Sequence, residues 1–246
     1  MLCHCVTPAN RQLYTDQLDA MFRMRHDVFV DGLGWKELRR TDRRDIDEYD
    51  TDDSVYLLVI NDDDKVVASG RLNPPWARNQ YEEDGHLRIR FVSSAPPAGP
   101  CVWEGSRLLG GLPDQYGKAY ARATLGILLA GGQEFCVRRG ITDVVSIFET
   151  QAMSRLMSLG WQLKPLGLPT RYETSHGEGE AIAASWKTSH RYLALTRDAF
   201  GISGPVLFEA EPVLAGVISA EISHAEKQTL TAGVGDRRKK GAVDAA

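Results

Sequence analysis

YARATLGILLAGGQEFCVRRGITDVVSIF, Tyr120 to Phe148, carries a helical period followed by a short continuous apolar run. Leu125, Leu128, Leu129 and Phe135 recur at helical spacing, which predicts a long helix over Tyr120–Arg138. Gly126, Gly131 and Gly132 each cost such a helix about 1 kcal/mol against alanine, and close packing on a sheet gives them a use. Ile141–Phe148 then reads as a buried strand, Thr150–Leu159 as a helix stopped by Gly160, and Trp161–Pro165 as a further strand. This strand, helix, strand order implies parallel pairing across the helix. The fold class is α/β.

Upstream, VYLLVI and VVASGRL flank the turn Asn61–Lys65, so Ser54–Leu72 predicts a hairpin whose near-continuous apolar runs are covered on both faces. Arg88–Ser93 and Cys101–Leu108 suggest two more strands, with Pro96, Pro97 and Pro100 between them. Toward the N-terminus, Leu18, Met21, Phe22, Arg25, Val28 and Phe29 predict an amphipathic helix over Gln12–Val30 that ends before Gly32, with Arg25 and Phe29 on one face. The charged stretch Lys36–Asp53 reads as a loop. Downstream, a Gly-rich polar loop at Thr174–Gly179 precedes a strand at Glu180–Trp186 and a helix at Ser189–Phe200. The expected organisation is a single domain over residues 1–216 and a mobile tail over 217–246 that carries Arg237–Lys240.

The 246 residues are 43% hydrophobic, enough for one substantial core. A formal charge of -4 argues against nucleic acid or anionic lipid as the main partner, because neutralising either demands a basic excess. No stretch approaches the ~20 apolar residues of a membrane span, and the N-terminus lacks a basic region followed by an apolar run. The expectation is a soluble, cytoplasmic protein. Cys3 and Cys5 flank His4, but no second ligand cluster accompanies them, so they read as an adventitious thiol pair, and no metal site is expected.

Function is carried by a spaced set: Arg25, Phe29 and Trp35 in RHDVFVDGLGW, Asp47 and Asp50 in DIDEYD, Arg71 in SGRL, and Glu104, Ser106 and Arg107 in VWEGSR. Singly, each reads as core, a solvated charge or a structural ion pair. Arg71 is the hardest to explain that way, since an arginine between apolar strand residues needs carboxylate partners, which Asp47 and Asp50 can supply. In this order and at these separations the four motifs resemble the acyl-homoserine lactone synthases, the autoinducer synthase family, over residues 20–200.

The resemblance implies a fold like that of the GCN5-related acetyltransferases, a mixed central sheet with helices on both faces. It also implies an acyltransferase that joins S-adenosylmethionine to an acyl thioester carried on acyl carrier protein or coenzyme A, with no bound prosthetic group. The products are an acyl-homoserine lactone for quorum sensing, methylthioadenosine and the free carrier. On the matching positions, Arg25, Phe29 and Trp35 belong to the S-adenosylmethionine pocket, and Asp47, Asp50 and Arg71 to the charged cluster that holds the N-terminal loop around it. Glu104, Ser106 and Arg107 fall beside the reacting centre, with Glu104 as base acting through a water. Trp103, Ser146, Met153 and Trp161 are the candidates for an acyl pocket.

The stretch Asn73–Pro100 lacks the Pro-Thr and Phe-Pro pairs that follow the family's SGRL-like strand, which implies an unusual acyl group. The loop Leu109–Ala119, with Gly110, Gly111 and Gly117, leads into a helix N-terminus able to receive phosphate or pantetheine oxygens, and reads equally as a plain turn. It lacks the pyrophosphate-cradling R/QxxGxG/A loop of a GCN5-type N-acyltransferase with another acceptor. No strand-associated GxGxG suggests a methyltransferase. A non-catalytic binding protein on the same scaffold would have no use for Glu104 beside the full cationic and carboxylate set.

Overall fold

A computed structural model describes residues 1–81, 86–111 and 113–211. The elements are β1 (Leu2–Val6), α1 (Thr15–Arg25), β2 (Val55–Ile60), β3 (Val66–Asn73), α2 (His86–Phe91), β4 (Val102–Gly110), α3 (Pro113–Tyr116), α4 (Lys118–Arg138), β5 (Asp143–Glu149), α5 (Thr150–Ser158), β6 (Leu163–Pro165), β7 (Thr170–Thr174), β8 (Gly177–Lys187), α6 (His190–Phe200) and β9 (Leu207–Phe208). Residues Met1–Ala210 pack as one compact unit, and the tail expected over 217–246 lies outside the described residues.

Nine strands form one mixed sheet in the order β6-β8-β5-β4-β3-β2-β1-β9, with β7 added on β8. Successive residues of β2 face opposite layers. Val55, Leu57 and Val59 pack with Leu128 and Phe135 of α4 and with Cys3 and Cys5, while Tyr56, Leu58 and Ile60 pack with Leu18 and Met21 of α1. Helices therefore cover both faces, and β2 is buried throughout, as its unbroken apolar run predicts. The α4 glycines serve close approach: a Cβ at Gly131 would stand 2.5 Å from Cys3 Sγ, and one at Gly126 2.5 Å from Phe200 Cγ.

Four expectations are corrected. The 12–30 helix is α-helical only over Thr15–Arg25; a 3-10 turn precedes it and a wider π turn over His26–Gly32 follows. Arg88–Ser93 does not form a strand, since His86–Phe91 is a helical turn whose Phe91 packs on Leu166 and Ala183. Strands β5 and β6 run the same way but do not pair. β8 lies between them, antiparallel to both, and the parallel pair is β4 with β5 across α4. Cys3 and Cys5 are fully buried in β1, and burial pushes the Cys5 thiol up to about 12, so these are core residues and not an adventitious pair.

Candidate active site

Strands β4 and β5 pair only where Val102–Glu104 meets Asp143–Val145, although β4 continues to Gly110 and β5 to Glu149. Beyond Glu104 they part, and a cavity of about 1330 Å³ opens, lined from β4 by Gly105, Ser106 and Arg107 and from β5 by Ser146 to Glu149. Gly105 sits at the fork: a Cβ there would come within 2.9 Å of Ser146 Oγ and 3.0 Å of Val144 Cγ1. The Ser146 hydroxyl donates to the Gly105 carbonyl and fastens the two strands at this point. The split lets one cavity touch both layers of the fold.

On the α1 side, three arginines and three aspartates close into an alternating ring. Arg25 bonds Asp45 through Nε at 3.0 Å and Asp50 through both terminal nitrogens at 2.9 Å. Arg71 meets Asp50 at 2.9 Å and Asp47 at 2.5 Å, and Arg107 meets Asp47 at 2.7 Å and Asp45 at 2.8 Å. The ring is neutral. Burial alone would raise the Asp50 carboxyl, but Arg25 and Arg71 hold it well below the usual carboxylate range; Asp45 is lowered likewise by Arg107 and Arg25. These bonds turn DIDEYD from a free charged loop into a strap fixed to α1, β3 and β4.

Arg107 owes its aim to a bulge. Opposite Ser69–Arg71 of β3, β4 spends one extra residue between Ser106 and Leu109, and Arg107 takes a left-handed φ of 52°. Its guanidinium lies 5.4 Å from the centroid of Phe29 and 5.8 Å from that of Trp35, two rings stacked at 5.1 Å. Trp35 Nε1 donates to the Tyr172 hydroxyl at 3.3 Å, and that hydroxyl donates to Glu149. Phe29, Trp35, Asp47, Arg71, Ser106, Arg107, Glu149 and Tyr172 all line the cavity, giving it a charged, aromatic end. Arg25 and Asp50 do not line it; they support the residues that do.

Glu104 is 3% exposed and outside the cavity lining. Its Oε2 accepts from the Gln80 backbone N–H at 2.6 Å, while Oε1 has no partner. Burial raises its pKa, against the lowering influence of Arg71, the Gln80 N–H and the Ser106 hydroxyl. Gln80 and Ser106 do line the cavity, so the carboxylate stands one residue behind its wall. Ser106 Oγ also accepts from Arg71 Nε at 3.0 Å, linking the carboxylate to the ring.

The other end is apolar. Leu128, Leu129, Val144, Phe148, Leu156, Trp161 and Trp186 line it, with Trp186 5.4 Å from Phe148 and 5.8 Å from Trp161, centroid to centroid. Of the four acyl-pocket candidates, Ser146 and Trp161 line the cavity and two do not. Trp103 stacks edge-on against Phe135 and Trp76, and Met153 is buried among Phe148, Leu156 and Trp161. The sequence reading missed Asp45, Glu149, Tyr172 and the α4 wall. Asp45 was visible as a third carboxylate in DIDEYD, whereas Tyr172 and Glu149 meet only through the pairing of β7, β8 and β5.

Among the described residues, His26, Asp27 and Asp31 alone bring metal-type ligand atoms together, within 4.8 Å. Arg43 already bridges those two carboxylates at 2.7 and 2.9 Å, so an internal cation stands where an ion would.

A forked parallel strand pair around a cavity that is charged at one end and apolar at the other defines an enzyme that brings a polar, ionic substrate to one bearing an acyl chain. Comparison with known proteins agrees. Residues 10–191 match the model of the autoinducer synthases. The isovaleryl-homoserine lactone synthase of Bradyrhizobium diazoefficiens is 36% identical over 202 residues, 82% of this chain and 86% of that protein. The CoA-dependent acyl-homoserine lactone synthase BjaI, solved with MTA and also with SAM and isopentyl-CoA, superposes with TM-scores of 0.74 and 0.73 at 32% and 33% identity, over 90% of this chain and 99% of that one. The CoA-dependent synthase MesI gives 0.69 at 30% identity, over 83% and 98%. The chain belongs to the autoinducer synthase family. It is an acyltransferase that makes an acyl-homoserine lactone.

Proposed function

We propose that this enzyme takes its acyl group from coenzyme A, transfers it to the amino group of S-adenosylmethionine, and then closes the lactone with release of methylthioadenosine. The observation that carries the proposal is the single cavity with unlike ends, joined at the β4/β5 fork. The faces of Phe29 and Trp35 suit a sulfonium, and Asp47, the one ring aspartate that lines the cavity, suits the ammonium of an amino acid. The apolar end suits an acyl chain. Coenzyme A is favoured over acyl carrier protein as the donor because BjaI and MesI, both CoA-dependent, are similar over almost their whole lengths.

In the first step the amine attacks the thioester carbonyl, the carbon–sulfur bond breaks, and the thiol leaves with a proton. Free α-amino groups titrate near ~7.7 to 8.0, so only modest basic assistance is needed. Glu104, raised by burial, takes the amine's proton through a bridging water near Ser106 and returns it to the departing thiolate. Arg107 is committed to two aspartates, so the oxyanion donors are the β4 amides that lose their β5 partners beyond the fork. In the second step the carboxylate attacks the γ carbon, the sulfonium carbon–sulfur bond breaks, and methylthioadenosine departs neutral. The walls contribute by holding the chain folded for attack.

No described helix is long and apolar enough to cross a membrane. We place the enzyme in the cytoplasm, where both substrates are made. The test is thiol release by the purified enzyme with S-adenosylmethionine and the same acyl chains on coenzyme A and on acyl carrier protein. At least ~10-fold higher kcat/KM is expected from coenzyme A, a difference of ~1.4 kcal/mol. Equal use of both would overturn the carrier assignment, and release of no methylthioadenosine with any donor would overturn the reaction.

A further inference from the structure

The apolar end of the cavity has a polar residue that the reaction described above does not use. Gln133 of α4 lines the cavity, is 2% exposed, and has no hydrogen bond from its side-chain amide; its Oε1 is sealed from solvent without a partner. Its neighbours on the helix face are Leu129 one turn before and Cys136 one turn after, both lining residues. Cys136 packs in one core cluster with Val144, and Val144 pairs with Trp103 in the segment where β4 and β5 are still joined. Gln133 therefore stands in the α4 wall of the cavity, in the layer opposite the charged ring.

Buried amides are nearly always hydrogen-bonded, and one left bare in an apolar wall is unfavourable. Leucine would fill the same space without that penalty. A hydroxyl entering the cavity satisfies both halves of the amide, because it donates to Oε1 and accepts from the NH2 group.

We propose that Gln133 is a specificity-determining residue that selects an acyl chain carrying a hydroxyl near its far end. This rests on the reading of the apolar end as the acyl site. A site that hydrogen-bonds a substrate hydroxyl discriminates against the matching chain that lacks it, because the amide is then left unpaired.

The experiment compares alkanoyl-CoA and ω-hydroxyalkanoyl-CoA thioesters of equal length, from four to eight carbons, with the full-length enzyme and Gln133→Leu. Methylthioadenosine release and product mass are the readouts. The wild type is expected to prefer the hydroxylated member at one length by about tenfold or more in kcat/KM, and Gln133→Leu to invert that preference while melting at a higher temperature. An alkanoyl preference in the wild type at every length, or the same ratio in both proteins, overturns the assignment of Gln133 with the acyl-site reading intact. Turnover of none of the thioesters by the wild type overturns both. If Gln133→Leu does not fold, Gln133→Met replaces it, with the same outcomes required.

Discussion

Replacing Arg25 with methionine tests the ring where it is most deeply buried. The side chain is fully inaccessible and makes three hydrogen bonds of 2.9 to 3.0 Å to Asp45 and Asp50, so methionine removes a cation and leaves a surplus buried carboxylate. Breaking a buried pair from one side costs ~3–5 kcal/mol. The lower half of that range applies here, because Asp45 keeps Arg107 and Asp50 keeps Arg71 and the Tyr56 hydroxyl. With a urea dependence of ~2 kcal/mol per molar, the midpoint falls by ~1.5–2 M, read from tryptophan fluorescence. Adding Asp50→Asn restores neutrality, and the double variant is expected to recover ~1–2 kcal/mol relative to additivity. The pH dependence has a definite sign. Folded Asp50 and Asp45 titrate below their unfolded value of ~3.9, so the ring's contribution is complete above that value and is lost as pH falls through the folded pKa. The deficit of Arg25→Met is thus constant from pH 5 to 7 and shrinks in acid. A deficit under ~1 kcal/mol, or one that grows in acid, would mean that Arg25 does not hold Asp45 and Asp50 ionised.

Other consequences follow from the same geometry. Glu104→Gln is expected to lower kcat for amide formation by ~10²–10⁴. It should also raise stability at neutral pH, because the folded pKa of Glu104 lies above the unfolded one and the carboxylate's ionisation opposes folding as pH rises through that window; full activity, or a loss of stability at pH 7, counts against its role. Gly105→Ala pushes a methyl toward Ser146 and Val144 at the fork, so kcat/KM for the acyl donor should drop by ~10-fold or more while binding of S-adenosylmethionine, followed by calorimetry, is retained. Trp35→Ala removes a stacked face worth ~1–2 kcal/mol to a cation, and the KM for S-adenosylmethionine should rise ~5–30-fold; an unchanged KM places the sulfonium elsewhere.

What could be read in the chain before its structure was known follows a physical line. Arg71 between apolar strand residues demanded carboxylates, and the structure puts Asp47 and Asp50 against it. The long α4 and the strand after it were legible because their periodicities are local. The pairing of Arg107 with Asp45 and Asp47 was not, since its direction depends on an extra residue in β4 relative to β3, and no one-strand pattern reveals a bulge. Nor was the insertion of β8 between β5 and β6, because sheet order depends on contacts far apart in sequence. Strand β1, LCHCV, is short, and β7, TRYET, has Tyr172 as its single aromatic among polar residues. The Arg88–Ser93 run alternates basic and apolar residues like a strand, yet its Phe91 is buried against β8 from a helical turn. Trp103 and Met153 illustrate the same limit: an apolar residue near the right motif can fill the core just as well as it can line a cavity.

The stoichiometry of one reaction mixture decides whether both steps run on this enzyme. Purified enzyme is given S-adenosylmethionine labelled in its amino nitrogen together with the acyl-CoA it uses fastest, and the products are resolved by mass spectrometry. One labelled acyl-homoserine lactone and one methylthioadenosine are expected for each free coenzyme A. Free coenzyme A without labelled lactone, or acyl transfer with S-adenosylmethionine left intact, would rule out the two-step reaction.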